Sequence, residues 1–597
     1  MSETGEIGGK SSLKGLKRKK KRSANQIAKK LARRRDPGRG SELDSESYQY
    51  MVQIMEVLRT DFSTMNDKPI FVNNVFEQTV DQEVDLAKNQ VGSLVLDTLM
   101  GFADLQVIER FTNAFSSSLR PICSDKYASH VLERIIQTCA DRGNRNFGDD
   151  SSKNNLTITE EEIPIYNNLS LKLCRYVINN IEEFIYDTYA NHILRTSIRC
   201  LGGLIDREDN DKKKRTMKLG PRRKVTQEFT DLLIDSGNRL LRWPQFLELG
   251  KDELSSGLLQ SYISTLKDVE PKLTSSIIKK IISECFNENT ESLSNIFDTE
   301  SSLRLLESCL ASASTKMYGK IFKKLFSGRL KELSLMPGAN FSVQRLMDYC
   351  PTKEQFEEIF DEISGHFLEI LERQNTGVLA SLGNACWRLQ TKQGPFVIVV
   401  AKGLKCDEPQ ERQLLLAPLI ARLVNYEQFD AAKRSNRNIQ LHLHGSLILQ
   451  AILQFNKPIK IVNSLLSLEG EELAMMFSDP KGSRILDVFM DSKFVGEKSR
   501  DKLAKQLQGY WVTLACGIHG SRCLDKIWQH SKDNQRIRIM EELAGAGEAM
   551  NSTKTGRIIS AKFNVPLFGK NRKEWSETRG QEEKTRALFA SIISSTK

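Results

Sequence analysis

The clearest chemical pattern in this chain is a small polar side chain followed, four positions later, by a second polar residue. Ser129 and Glu133, with His130 next to the serine, form one such group. The other groups are Ser93 with Asp97, Asn191 with His192 and Arg195, Ser256 with Gln260, Asn340 with Phe341 and Gln344, Ser446 with Gln450, Ser483 with Arg484 and Asp487, and Ser521 with Arg522 and Asp525. Residues four apart are neighbours on a helix surface, so each group would present two hydrogen-bonding side chains together. Such groups suit the recognition of a flat polar ligand.

Residues for bond-making chemistry do not stand out. No paired carboxylates, nucleophile elbow or metal-ligand cluster occurs at catalytic spacing. His442 and His444 have no third ligand at metal-binding spacing. Residues 5–11 approach a phosphate-binding loop, but the leading glycine is one residue too near. The sequence therefore predicts a protein that is not an enzyme and that uses no metal and no cofactor.

The polar groups recur at nearly constant spacing. Their first residues, with weaker copies included, are Ser93, Ser129, Asn191, Ser256, Ser302, Asn340, Val378, Ser446, Ser483, Ser521 and Arg557. Six of the ten steps between them are 36 to 38 residues long, the length of a repeat of two or three helices. One such unit cannot bury its own apolar face, so the units must stack. The weaker copies at Ser302 and Val378 have Leu306 and Leu382 four places on.

Apolar residues recur at helical spacing through the body of the chain, and proline is sparse. Residues 396–400 form an apolar run that fits either a strand or a buried helix. In the second repeat, the side chains predicted to face neighbouring helices are Val131, Leu132, Ile135, Ile136 and Cys139. The predicted fold class is all-α: an α-solenoid of about eleven helical repeats that forms a curved superhelix.

The predicted organisation has four parts. They are a disordered basic tail (1–42), an N-terminal capping helix region (43–75), the repeat array (76–565) and a C-terminal capping segment (566–597). Insertions near 141–162, 206–225 and 425–440 account for the long steps in the array. The second of these insertions is strongly basic and is predicted to be a charged loop.

The positive charge of the chain is confined to its first residues. Residues 1–40 hold 14 of the 87 lysines and arginines and 3 of the 76 acidic residues, so the rest of the chain, with 73 of each, is neutral. The densest clusters are Lys17, Arg18, Lys19, Lys20, Lys21 and Arg22, and then Arg33, Arg34 and Arg35. Clusters of this kind are typical of nuclear localisation signals or nucleic-acid arms.

The composition also restricts the compartment. The 11 cysteines include no Cys-x-x-Cys pair, and an odd number cannot all pair within one chain, which favours reduced thiols in a nucleus or cytosol. No stretch approaches the roughly 20 apolar residues of a membrane helix, and the first residues lack the apolar core of a secretion signal. We therefore expect no membrane association.

Stacked repeats would align the polar groups on one face. Single-stranded RNA needs hydrogen bonds to base edges and flat groups that stack on the bases, and the aligned groups offer both. The stacking candidates are His130, His192, Phe341, Arg484 and Arg522.

The repeats resemble those of the Pumilio family, in which a helix carries an edge-reading residue, a stacking residue and a second edge-reading residue. The eleven units, the early insertions, the basic leader and the segment from Phe563 to Trp575 are most similar to the Pumilio-like nucleolar protein nine family. The resemblance covers roughly residues 80–565. It implies a nucleolar, non-enzymatic factor that binds pre-ribosomal RNA during maturation of 18S rRNA and the small (40S) subunit.

The resemblance also implies base preferences. Asn340, Phe341 and Gln344 match the pattern for uracil, and Ser129, His130 and Glu133 match that for guanine. Ser256 with Gln260, and Ser446 with Gln450, resemble an adenine pattern, although Gly257 and Leu447 are poor stackers. The remaining groups depart from the family pattern, since their fifth residues are Asp97, Arg195, Asp487 and Asp525. We expect partial sequence preference with some structural recognition.

The implied partners are pre-ribosomal RNA, pre-40S assembly factors and a nuclear import receptor, for a protein that is a monomer in the nucleus and nucleolus. Two other functions fit the same pattern. One is a protein-binding scaffold of the armadillo or HEAT kind, and the other is a Pumilio-type regulator of mRNA. A surface salt bridge would equally explain the Ser-Arg-x-x-Asp groups at Ser483 and Ser521.

Overall fold

Helices account for all the regular secondary structure in the part of the chain that the structure describes. The computed structural model describes residues 39–58, 67–145, 158–205, 222–286, 296–297, 299–435 and 437–581. Within them, extended pairing is limited to one bridge between Gly40 and Asn89. The apolar run at 396–400 lies in the helix Gln393–Gly403, so the helical alternative is correct. The basic clusters at 17–35 lie outside the described residues.

Eleven repeats follow one another, and each has a middle helix that contains one of the eleven recurring positions found in the sequence. The middle helices of repeats 1 to 11 are Gln90–Leu99, Ala128–Gly143, Ala190–Leu201, Glu253–Leu266, Glu300–Ser312, Ala339–Tyr349, Thr376–Leu389, Leu443–Leu453, Gly482–Asp491, Gly520–His530 and Lys554–Phe563.

A short first helix precedes the middle helix in ten of these units. The first helices are Glu83–Lys88, Leu119–Cys123, Ile181–Phe184, Phe246–Lys251, Leu330–Leu335, Phe367–Glu372, Leu416–Arg422, Gly470–Ser478, Trp511–Cys516 and Gly547–Ser552. In repeat 5 the equivalent helical residues described are 296–297.

A third helix follows each middle helix. The third helices are Leu105–Ser116, Glu162–Asn179, Gln227–Leu241, Pro271–Lys280, Thr315–Leu325, Lys353–Ile363, Gln393–Gly403, Ile459–Leu465, Glu497–Gln506, Asp533–Gly545 and Val565–Lys570. Further helices are Ser45–Val57 and Asp67–Glu77 before the first repeat, Tyr426–Arg434 inserted in repeat 8, and 572–581 at the end.

The chain divides into two compact units, Met1–Cys285 and Phe286–Lys597. The first contains four middle helices and the second contains seven, and within each unit every middle helix packs against the next. The five core residues predicted in repeat 2 are all fully buried, which confirms that prediction. Each buried aliphatic side chain of this kind contributes about 1.5–3 kcal/mol to folding.

Burial along the middle helices defines a common register. We call the first residue of each polar group its anchor and number later residues from it, so that His130 is the +1 residue and Glu133 the +4 residue of anchor Ser129. The residues at +2, +3, +6 and +7 are buried in repeats 2, 3, 4, 6 and 10. They face the neighbouring helices, and the +1 and +4 residues face away from them.

This register corrects two anchors. Counting from Ser302 would place the exposed Arg304 at a core position, whereas counting from Leu303 places Leu305, Leu306, Cys309 and Leu310 there, all buried. Counting from Val378 would place the exposed Asn384 at +6, whereas counting from Thr376 gives the buried residues Val378, Leu379, Leu382 and Gly383. The anchors of repeats 5 and 7 are therefore Leu303 and Thr376, and the predictions at Ser302 and Val378 were wrong.

Glycine precedes several anchors because the backbone of the first helix lies against it. A Cβ on Gly92 would lie 2.2 Å from the carbonyl oxygen of Leu86, and one on Gly482 would lie 1.8 Å from that of Met476. No side chain fits at these distances, so the small residue before the anchor is a packing requirement.

Other sequence-based features can also be located. All 11 cysteines lie among the described residues, and none of them forms a disulfide. Among the described residues, every helix is too short or too polar to span a bilayer. Arg223, at the end of the basic insertion, donates to the Asp141 carboxylate at 2.5 Å. Near the C-terminal end, the Trp575 indole nitrogen donates to the Phe563 carbonyl at 2.9 Å, and Phe563 stacks on Trp528.

Candidate nucleic-acid interface

The +1 side chains are exposed in most repeats. Phe341 is 57% exposed even though it is a large apolar side chain. The other exposed +1 residues are Leu94, His130, His192, Arg304, Leu447, Arg484, Arg522 and Ile558. Repeats 4 and 7 instead have Gly257 and Gly377, which are buried. Together with the +4 residues, these side chains form what we call the middle-helix face, which is present in each compact unit.

The anchors of seven predicted groups are buried and do not lie on this face, contrary to the expectation of two surface residues per group. Asn191 is fully buried, and Ser129 and Asn340 are only 3% and 4% exposed. Ser93, Ser256, Ser446 and Ser483 are also buried, and Ser521 is half-buried. The buried anchors pack against neighbouring backbone, so they can act on a ligand only through the residues that they hold.

Repeat 6 shows how an anchor holds its +4 residue. The Asn340 amide nitrogen donates to the carbonyls of Met336 at 3.0 Å and Pro337 at 2.7 Å. Its oxygen accepts a hydrogen bond from the Gln344 amide nitrogen at 3.0 Å. Gln344 is half-buried, and its amide is therefore oriented before any ligand arrives.

Repeats 4 and 8 share this arrangement. The Gln450 amide donates to the Ser446 hydroxyl at 2.9 Å, and that hydroxyl donates to the Lys481 carbonyl at 2.7 Å. In repeat 4 the Gln260 amide donates to the Ser256 hydroxyl at 3.3 Å. We call repeats 4, 6 and 8 the amide repeats.

In repeats 1, 2 and 10 the +4 residue is a carboxylate bound by the +5 residue of the next repeat. The three contacts are Arg134 to Asp97 at 3.0 Å, Thr196 to Glu133 at 2.5 Å and Lys562 to Asp525 at 2.7 Å. The other Asp525 oxygen is buried without a partner. We call these the acid repeats. Their carboxylates already have donors, so they have less capacity left for a ligand.

Repeats 3 and 9 fit neither class. The Asn191 amide donates to the Ile185 and Leu254 carbonyls, and its oxygen is buried without a hydrogen-bond partner. The Arg195 guanidinium lies against the next middle helix, since a Cβ on Gly257 would be 3.2 Å from it. Arg484 and Asp487 form an exposed ion pair at 3.5 Å, as the salt-bridge alternative foresaw for this group.

The two adjacent histidines on the face differ in charge behaviour. The pKa of His130 is raised, chiefly by the Glu133 carboxylate, whose oxygen lies 3.9 Å from the ring nitrogen. The pKa of His192 is lowered by burial and by the nearby Arg195. As pH falls, His130 therefore gains its proton before His192 does.

His442 and His444 have structural partners. The His442 ring nitrogen accepts from the His444 backbone nitrogen at 3.2 Å, which caps the middle helix of repeat 8. The His444 ring lies 2.7 Å from the Thr376 hydroxyl. No group of metal-ligating side chains occurs among the described residues.

The sequence-based selection missed face residues in repeats 5 and 7. In the corrected register, repeat 5 presents Arg304 and Glu307, and burial raises the pKa of Glu307. Repeat 7 presents Gly377 and Ala380. The apolar spacing of each middle helix would have revealed both errors in register, because it fixes the register independently of the polar residues.

Comparisons with known proteins agree with this geometry. A family model of the NOP9-like PUF repeat domain matches residues 81–558. The chain is 26% identical to nucleolar protein 9 of Homo sapiens, with 93% of this chain and 92% of the relative covered. It is 23% identical to Pumilio homolog 23 of Arabidopsis thaliana, with 93% and 76% covered.

The fold also has solved counterparts. The structure of APUM23-GGAUUUGACGG matches with a TM-score of 0.70 at 20% identity, covering 90% of this chain and 99% of that one. This match confirms the predicted all-α repeat solenoid. The names of the relatives support the nuclear and nucleolar localisation that the resemblance implies. The chain belongs to the NOP9-like PUF repeat family.

Proposed function

We propose that this protein binds single-stranded RNA along its middle-helix face. The observation that carries the proposal is the series of exposed +1 side chains, several of them flat, which in repeats 1 to 10 other than 4 and 7 lie next to a hydrogen-bonding +4 residue. Exposed flat groups of this kind stack on bases, and each stack is worth about 1–3 kcal/mol. A few stacks together reach the roughly 8 kcal/mol of micromolar affinity.

The repeats contribute unequally to this function. Repeat 6 is the strongest site, because an exposed phenylalanine stands beside an amide that its anchor has already oriented. Repeat 8 offers an oriented amide beside Leu447, a weaker stacking group, and repeat 4 offers an oriented amide without a stacking side chain, because its +1 residue is Gly257. The acid repeats contribute mainly stacking and charge. The resulting preference is partial and centred on a few nucleotides.

We also propose a role in small-subunit ribosome assembly, with precursor 18S rRNA as the ligand and pre-40S factors and an import receptor as partners of a monomer. The support comes from relatives named nucleolar protein 9 and from the dense basic clusters in residues 17–35. Those clusters would bring the protein into the nucleus and add salt-dependent contacts to phosphates.

Binding selection tests the first proposal. The full chain is incubated with a library of random 14-nucleotide single-stranded RNAs, and bound molecules are sequenced. We expect an enriched motif that binds at least tenfold more tightly than a scrambled version of itself. Equal affinity for the two RNAs would remove base recognition and favour a protein-binding scaffold.

Imaging tests the part of the second proposal that concerns the basic tail. A fluorescent fusion that lacks residues 1–40 should lose nucleolar signal, whereas the full-length fusion should keep it. An unchanged nucleolar signal would show that the tail is not the address.

A further inference from the structure

Repeat 7 departs from its neighbours on the middle-helix face. Its +1 and +4 residues are Gly377 and Ala380, where repeats 6 and 8 carry the exposed side chains Phe341 and Leu447. The missing side chains leave a groove of about 420 Å³, lined by repeats 6 to 9 within the second compact unit. This volume lies within the usual range of small-ligand sites.

Polar and aromatic groups line this groove. On the middle helix of repeat 7, Ser381, Asn384 and Trp387 line it about one, two and three turns beyond the glycine. The Asn384 side chain is exposed and forms no hydrogen bond with the described residues. Trp387 is 38% exposed, and Gln454 of repeat 8 lies on the other wall. The groove thus combines a flat apolar wall with an unpaired amide that can both donate and accept.

A nucleobase has matching chemistry, with flat apolar faces and an edge of donors and acceptors. A base that faced Gly377 in the ordinary way would have no side chain to stack on. Turned into the groove, the same base would lie against Trp387 and reach the Asn384 amide. We propose that this groove binds one nucleobase that is unstacked from its neighbours in the strand.

The assignment rests on the proposed RNA-binding function, since a strand held at repeats 6 and 8 must pass the groove. It extends the +1 and +4 recognition of the neighbouring repeats, since Gln344, Leu447 and Gln450 also line the groove. Repeat 7 adds groups at +5, +8 and +11 of anchor Thr376. Repeat 7 would therefore contribute to RNA binding although its +1 and +4 residues are Gly377 and Ala380.

Abasic scanning tests the groove. The RNA selected by the full chain is synthesised with each nucleotide replaced in turn by an abasic site. For the unaltered protein, one position facing repeat 7 should lose about 5- to 140-fold in affinity, which corresponds to one base stack. In Asn384→Leu and Trp387→Ala, the intact RNA should bind at least fivefold more weakly, and the abasic change at that position should cause little further loss.

Asn456→Leu is the matched control, since Asn456 is an exposed asparagine outside the groove, and it should behave like the unaltered protein. The groove assignment is overturned if Asn384→Leu and Trp387→Ala keep the full abasic profile with unchanged affinity. A different result, in which the unaltered chain selects no RNA at all, would refute the proposed function itself.

Discussion

The amide repeats and the acid repeats carry the same arrangement of positions but differ in what the +4 residue can still do. In repeat 6, Gln344 receives its orientation from a buried asparagine of its own helix. In repeat 10, Asp525 is held by Lys562 of the next repeat. The difference shows that whether a +4 side chain can still hydrogen-bond a base depends on the +5 residue of the following repeat. A motif of four or five residues therefore cannot determine which repeats read bases.

Removal of the +1 side chains should produce the largest contrast between the two classes. Phe341→Ala in repeat 6 should lose about 1–3 kcal/mol of RNA affinity, because one base stack disappears. Arg522→Ala in repeat 10 should lose less, and its loss should shrink at high salt, because an exposed guanidinium acts mainly through charge. Titration of the selected RNA at low and high salt measures both effects.

A loss for Phe341→Ala that also vanishes at high salt would place Phe341 outside the stack and erase this contrast. Tyr349→Ala serves as the control, since Tyr349 is an exposed aromatic residue of the same helix that lies at +9.

Removal of the +4 side chains should lower RNA affinity less than removal of the +1 side chains. It should, however, separate the amide repeats from the acid repeats more clearly. Gln344→Ala should cost about 0.5–1.5 kcal/mol per lost hydrogen bond and should relax base preference at one nucleotide only. Asp525→Ala should leave base preference unchanged, because one of its carboxylate oxygens binds Lys562 and the other is buried. Selection from the random RNA library with each variant measures the preference.

Gln344→Ala is preferable to Asn340→Ala in this experiment. The Asn340 side chain supports two backbone carbonyls, so its removal would also lower the free energy of unfolding. If Asp525→Ala relaxes preference as much as Gln344→Ala, the division into amide and acid repeats fails.

The sequence was sufficient for the fold because apolar spacing and repeat length both report helix packing. The buried residues of repeat 2 follow directly from that spacing. The register of repeat 5 was misplaced because the small polar residue Ser302 precedes apolar ones, and that of repeat 7 because its anchor was placed two residues late, at the apolar Val378. In both helices the core positions, and not the polar residues, define the register.

Two features of the site could not be predicted from the sequence. The burial of the anchors depends on how closely each middle helix approaches the backbone around it, as Asn191 shows by donating to Leu254 in the next repeat. The pairing of Asp97 with Arg134 joins residues 37 positions apart. Such contacts depend on the relative placement of neighbouring repeats, which spacing alone does not define.

A methyl group at position 377 should weaken the preorganisation that distinguishes the amide repeats. A Cβ on Gly377 would lie 2.6 Å from the Gln344 amide, so Gly377→Ala should displace that amide. We expect a loss of a few fold in affinity at the nucleotide that Gln344→Ala affects, with any further loss only at the base that enters the groove lined by Gly377. The thermal unfolding midpoint should stay close to that of the unaltered protein. Alanine favours a helix over glycine by roughly 1 kcal/mol, which offsets the cost of displacing the Gln344 amide.

In that experiment, Gly394→Ala is the control, because nothing lies within 4 Å of a Cβ there. A loss spread evenly over all nucleotides would mean that Gly377 does not position Gln344.

The smallest effect should come from pH and should have opposite signs in repeats 2 and 3. The folded-state pKa of His130 is raised above its usual 6.5 by Glu133, so its contribution to stability is present below pH 6.5 and is lost as pH rises through the folded-state pKa. The pKa of His192 is lowered, so protonation below pH 6.5 destabilises the folded protein there.

Urea midpoints of His130→Gln and His192→Gln, each compared with the unaltered protein at pH 5.5 and 8, measure the two contributions. Between pH 8 and pH 5.5, the urea midpoint of the unaltered protein should rise relative to that of His130→Gln and fall relative to that of His192→Gln. Shifts of the same sign would show that Glu133 is committed to Thr196 alone, and the acid repeat would then leave its +1 residue electrostatically unaffected.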